Sequence, residues 1–135
     1  MSVNDAVVSD RTTLVTSASE VVYRREPWIE PAVPLTYDVL FEDEHILCVN
    51  KPSGLPTMPS ELYFEHTLLR LLQRHQPDDE HAVPIPVHRL GVGTSGIVVC
   101  GKSPSARKSL TTAFESRKVH KTYRALAQGI IPHDC

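Results

Sequence analysis

Apolar residues come in short runs of changing period, broken by proline and glycine. The runs YDVLFE (37–42) and HILCVNK (45–51) flank the polar joint Asp43-Glu44. Apolar β-formers on both sides of a tight polar turn predict paired strands. Pro52, Gly54, Pro56 and Pro59 then enforce a loop over 51–60. Leu68, Leu69, Leu71 and Leu72 recur at helical spacing between Arg70, Gln73 and Arg74, which predicts a short amphipathic helix over about 65–75. A polar, proline-bounded loop (77–86) leads to a brief extended segment, VHRL (87–90). TSGIVVCGK (94–102) is β-branched and almost wholly apolar, so it is expected to be a strand buried on both faces. Ser103-Pro104 is a helix start, with serine at the N-cap and proline in the first turn. Ala106, Leu110, Ala113 and Phe114 form that helix's inner face, and Arg117 and Lys118 suit the negative end of its dipole. VHKTYRALAQG (119–129) is expected to close as another strand.

Residues 1–34 show no sustained period and read as an irregular lead-in, with Trp28 expected to dock onto the domain that follows at 35–135. The order strand, strand, helix, strand, helix, strand predicts an α+β fold: a mixed, mainly antiparallel sheet with flanking helices.

Composition narrows the function. The 135 residues suffice for one domain, 41% hydrophobic and 22% charged. Net charge is −2, but residues 1–85 carry −8 and residues 86–135 carry +6, which points to a basic face in the second half. Cys48 and Cys100 sit inside apolar runs, and with Cys135 the count is odd and no C-x-x-C occurs. That argues against a disulfide framework or zinc site and fits a reducing, intracellular compartment, the cytoplasm first. No run approaches the roughly 20 apolar residues of a membrane span, so no membrane partner is expected. The spacing of His75, His81 and His88 matches no metal-ligand set, and no G-x-x-x-x-G-K or G-x-G-x-x-G phosphate loop occurs.

Three segments carry chemistry: Asn50-Lys51-Pro52-Ser53-Gly54; His88-Arg89-Leu90-Gly91-Val92-Gly93-Thr94-Ser95-Gly96; and Lys121-Thr122-Tyr123-Arg124-Ala125, with Gly129 four residues on. Together, in this order, they resemble the catalytic domain of the RluA-type RNA pseudouridine synthases, which carry N-K-P-S/A-G, H-R-L-D-x-x-T-S-G and K-x-Y-x-A-x-x-x-G elements. The resemblance covers roughly residues 36–130. It implies isomerisation of uridine to pseudouridine in rRNA or tRNA, by a monomer without cofactor or metal. The target uridine must leave its stack, because a stacked base is closed to attack at its sugar linkage. It also implies that the chain is the N-terminal part of a catalytic domain that runs on past residue 135. The remainder would bring an arginine, in an R-x-H-Q-type segment, that pairs with the catalytic aspartate. Such a part is expected to be marginally stable, with sheet edges and apolar faces uncovered.

The resemblance also assigns roles, each of which has a plainer alternative. Gly91 stands where the family carries its aspartate, as in plant-like members with HRLG. Glycine supplies no nucleophile, base or counter-ion, and its plainer role is a turn needing positive φ. Asp78, Asp79 and Glu80 are a remote alternative source of a carboxylate. Arg89 is expected to meet RNA phosphate or fill the space left by the flipped base; its alternative is a surface ion pair. Tyr123 is expected to stack on the base rather than sit in the core. His88 reads as a structural histidine near the RNA. Lys121 and Arg124 are phosphate contacts, extended along the preceding helix by Arg107, Lys108, Arg117 and Lys118. Thr94 and Ser95 shape the turn beside the RNA with Gly96, and Lys51 is counted with the RNA-facing set or as a support for the loop. Two functions follow: a pseudouridine synthase, or a non-catalytic RNA-binding relative that kept the platform and lost the nucleophile.

Overall fold

A computed structural model describes residues 1–10, 12–24, 27–75 and 83–129. Its centre is a four-stranded antiparallel sheet. β4 (Asp38–Glu42) and β5 (Ile46–Lys51) are a hairpin, closed where the Asp43 carboxylate accepts the backbone N–H groups of His45 and Ile46 at 2.7 Å each. β7 (Gly96–Gly101) pairs with β5 along its full length, and the two-residue β6 (Ile85–Pro86) covers β7's other edge, giving the order β4-β5-β7-β6. This is the α+β, mainly antiparallel architecture that the pattern predicts. The lead-in, expected to be irregular, contributes a separate small antiparallel sheet of two-residue strands, β1 (Ser2–Val3), β2 (Ala6–Val7) and β3 (Val21–Val22). So short a pairing leaves no hydrophobic period to read.

Strand alternation divides the main sheet into two faces. Leu47, Val49, Val98 and Cys100 point to the buried face and pack against Leu68, Leu71 and Leu72 of α1 (Leu68–His75). Loop carbonyls of Pro56 and Thr57 accept the Leu68 and Leu69 N–H groups and so satisfy the start of α1. The other face is open: Ile97 is 59% exposed and Phe41 52%. β7 is therefore buried on one face, not two. Its all-apolar sequence does not distinguish a covered strand from one whose second face is bare. Cys48 and Cys100 lie on neighbouring strands but on opposite faces, and both are free. Burial pushes the Cys100 thiol up to about 12, so it packs as a hydrophobe.

The lead-in is tied to the domain by the Glu30 carboxylate, which accepts the N–H groups of Glu65 and His66, and by the Trp28 indole, which donates to the Leu62 carbonyl at 3.4 Å. α2 (Pro104–Glu115) begins as predicted, with the Ser103 hydroxyl accepting the Ala106 N–H at 3.1 Å. It lies so close to β7 that a Cβ on Gly101 would stand 2.8 Å from the Arg107 backbone nitrogen, which requires glycine there. Its inner residues are only half buried. The helix ends in a Schellman pattern: Lys118 N–H donates to the Ala113 carbonyl, Arg117 N–H to Phe114, and Arg117 takes φ +56°. Beyond it, residues 119–129 form no strand. A strand exists only through a paired neighbour, and none of the described residues pairs with this segment.

Candidate functional site

Because residues 119–124 are turned back by the end of α2, they run beside the open face of β7 and enclose a groove of about 320 Å³. One wall is His88 and Leu90 with the 94–97 stretch and Val99; the other is 119–124; Phe114 of α2 stands between them. His88, Thr94, Ser95, Lys121, Tyr123 and Arg124, singled out from the sequence, all line it. No aspartate or glutamate does among the described residues, so its charge comes from Lys121 and Arg124.

Tyr123 is 62% exposed, so it is not a core tyrosine, and it belongs to no strand, which corrects the expected strand placement. The Lys121 ammonium lies 6.0 Å from the centre of the Phe114 ring. Phe114 also stacks on His88, with ring centres 4.4 Å apart and planes inclined by 24°. His88 Nε2 accepts the Val99 N–H at 3.0 Å. That bond needs a neutral ring protonated on Nδ1. Burial, then the Lys121 charge, lowers the His88 pKa and favours that form. His88 is thus tied to β7 and to α2 and forms part of the groove wall.

Three residues fall elsewhere. Arg89, between His88 and Leu90, is exposed and outside the groove lining. Successive side chains of an extended segment alternate, so two neighbours facing in leave Arg89 facing out. Gly91 is likewise exposed and outside the lining. Its φ is not in the left-handed region, which belongs here to Gly96 at +129°, and a Cβ at 91 would meet only Thr94 Oγ1, at 3.5 Å. The turn therefore does not demand glycine at 91. Lys51 is fully buried and cannot touch RNA: its ammonium donates to the carbonyls of Pro52 at 2.9 Å and Leu55 at 2.7 Å. Asp78, Asp79, Glu80 and His81 lie outside the described residues. Lys108, Arg117 and Lys118 are exposed, whereas Arg107 Nε donates to the Gly101 carbonyl at 3.3 Å.

Sequence reasoning missed His120 and Val119 in the groove wall, although both adjoin the K-x-Y element, and it placed Phe114 only in a helix core. It also missed Ser53 and Thr57, whose hydroxyls reach across to the 90–93 turn; no sequence period marks such contacts. Among the described residues no group of three or more His, Cys, Asp and Glu side chains is placed to hold a metal ion, and no helix is long and apolar enough to cross a membrane.

Comparison with known proteins gives this groove its setting. The family described as RNA pseudouridylate synthase matches residues 45–134. RNA pseudouridine synthase 5 of Arabidopsis thaliana is 38% identical over 98% of the chain and 42% of its own length. The dual-specificity RNA pseudouridine synthase RluA of Vibrio parahaemolyticus is 40% identical over 77% of the chain and 40% of its own. A solved structure, human RNA pseudouridylate synthase domain containing 4, aligns with a TM-score of 0.48 at 23% identity, covering 60% of this chain and 30% of that one. The chain thus spans about two fifths of the length of the curated relatives it matches. A family match over most of the chain, with groove residues drawn from two of its three motif segments, makes this chain a member of the RNA pseudouridylate synthase family.

Proposed function

We propose that the groove receives an extruded uridine of an rRNA or tRNA, and that the chain works as the RNA-holding part of a pseudouridine synthase. The observation that carries this reading is Tyr123: an aromatic ring left mostly open beside Lys121 and Arg124, in a groove with no acidic side chain among the described residues. An exposed ring stacks on any base, and the flanking cations meet its phosphates. The His88–Phe114 stack gives that wall a rigid backing. No cofactor or metal enters this reading, and the chain is taken as a monomer in a reducing, cytoplasmic setting.

The second reading, RNA binding without isomerisation, is favoured by one specific observation: residue 91 is glycine and no carboxylate lines the groove among the described residues. Release of tritium from 5-labelled uridine RNA separates the two. Under the first reading the chain, or a version extended to the length of its relatives, turns over; under the second neither does. Since a side chain fits at 91, Gly91→Asp should fold as the parent does, and turnover only in that variant would establish that the lost carboxylate is the sole defect. RNA binding itself is tested by Tyr123→Ala, expected to weaken affinity for uridine-rich single strands by ~1–3 kcal/mol. An unchanged affinity would remove the stacking role.

A further inference from the structure

Residues outside the groove hold one of its walls in place. The 90–94 turn supplies Leu90 and Thr94 to the lining and is closed by the Thr94 N–H donating to the Gly91 carbonyl at 3.0 Å. The loop after β5 grips this turn from behind. Ser53 Oγ donates to the Gly93 carbonyl at 2.8 Å, and the Gly54 N–H to the Val92 carbonyl at 2.7 Å. The Thr57 hydroxyl donates to the Leu90 carbonyl at 3.0 Å and accepts the Leu90 N–H at 3.2 Å, standing in for a strand partner. Lys51 anchors the gripping loop itself, through Pro52 and Leu55, and reaches the Val92 carbonyl at 3.5 Å.

The chemistry of Lys51 explains why a charge is buried there. An ammonium has three donors and no acceptor, and it lies among three carbonyls. Among the described residues it has no carboxylate partner. A buried charge is costly unless its hydrogen bonds are all made, and a hydrocarbon chain would fill the same volume more cheaply. What the ammonium supplies, and a hydrocarbon does not, is the gathering of carbonyls from both loops to one point.

We propose that Lys51, Ser53 and Thr57 are positioning residues that clamp the 90–94 turn, so that Leu90 and Thr94 stand opposite Tyr123 before RNA arrives. The purpose of the clamp rests on the RNA reading of the groove; its existence does not. None of the three lines the groove.

Amide hydrogen exchange and RNA affinity, measured on the 135-residue chain, test it together. Ser53→Ala, at an exposed site, and Thr57→Val, which keeps the volume, should speed exchange at Leu90 and Thr94 about five- to tenfold, the usual consequence of losing one hydrogen bond. Exchange along the β5–β7 ladder should stay unchanged. Affinity for a uridine-rich single strand should fall by a similar factor, and Thr57→Ser should restore both. Unchanged exchange at 90–94, or equal acceleration throughout the sheet, overturns the clamp. Faster exchange with unaltered RNA affinity overturns its positioning role. If the parent chain binds no RNA, the reading of the groove falls, and exchange alone decides the clamp.

Discussion

His88 shows how one side chain serves packing and surface chemistry together. Its ring accepts a β7 amide and stacks on Phe114, while burial first and then the Lys121 charge favour its neutral form. Its pKa is lowered on folding from the ordinary 6.5. The unfolded chain therefore binds this proton at a pH where the folded chain does not, and stability from this group rises with pH. It is fully present above about 6.5 and is lost as pH falls toward the folded-state value. Urea midpoints measured from pH 7 to pH 5 should decline, and His88→Asn should flatten that decline; a slope identical in the variant would place the effect elsewhere. The sequence motifs singled out His88, Lys121, Tyr123 and Arg124, and the structure brings these four to one groove. The outward turn of Arg89 was not legible in the sequence. A motif records which residues occur together, whereas facing is set by the register of the chain beside β7.

At the scale of elements, α2 was legible from its Ser-Pro start and its basic end, because capping is local chemistry. Its termination carries a cost that the sequence conceals. Arg117 occupies the left-handed position that glycine fills most easily. A non-glycine residue there costs ~1–2 kcal/mol. Arg117→Gly relieves this but gives up ~0.3–1 kcal/mol of dipole interaction and adds disorder to the unfolded chain. The relief and the two losses nearly cancel, so the net change should be close to zero. Lys118→Gly, at a residue without positive φ, should lose about 0.5–1 kcal/mol. A loss at 118 clearly larger than any change at 117 in chemical denaturation would verify the turn geometry, and equal losses would refute it. The segment after α2 was expected to be a strand because its residues are β-formers. Propensity alone does not make a strand, and none of the described residues pairs with this segment.

For the whole molecule, the charge asymmetry and the bare sheet face are the deciding features. Lys121 and Arg124 from the basic second half stand in the groove, so binding to single-stranded RNA should weaken with salt. Replacing both with glutamine should reduce the slope of log affinity against log salt by about 1.4, at ~0.7 for each lost phosphate contact on single strands. An unchanged slope would exclude both from the interface. The face bearing Phe41 and Ile97 adds little to stability while exposed. The native chain should bind a hydrophobic dye, lose that signal in the double variant Phe41→Thr, Ile97→Thr with little change in melting, and melt below about 45 °C, the lower end for mesophilic domains. Cooperative melting well above that temperature, without dye binding, would show the face to be covered in solution.

The sequence by itself determined the hairpin, both helices, the existence of the 96–101 strand and the family, because capping, period and motif composition act between near neighbours along the chain. Only the tertiary structure decided that β7 has one bare face, that Lys51 is buried in a cage of carbonyls, that Arg89 faces away, and that Gly91 occupies ordinary backbone with room for a side chain. Each of these depends on what a distant segment places beside the residue, and neither residue type nor spacing encodes that.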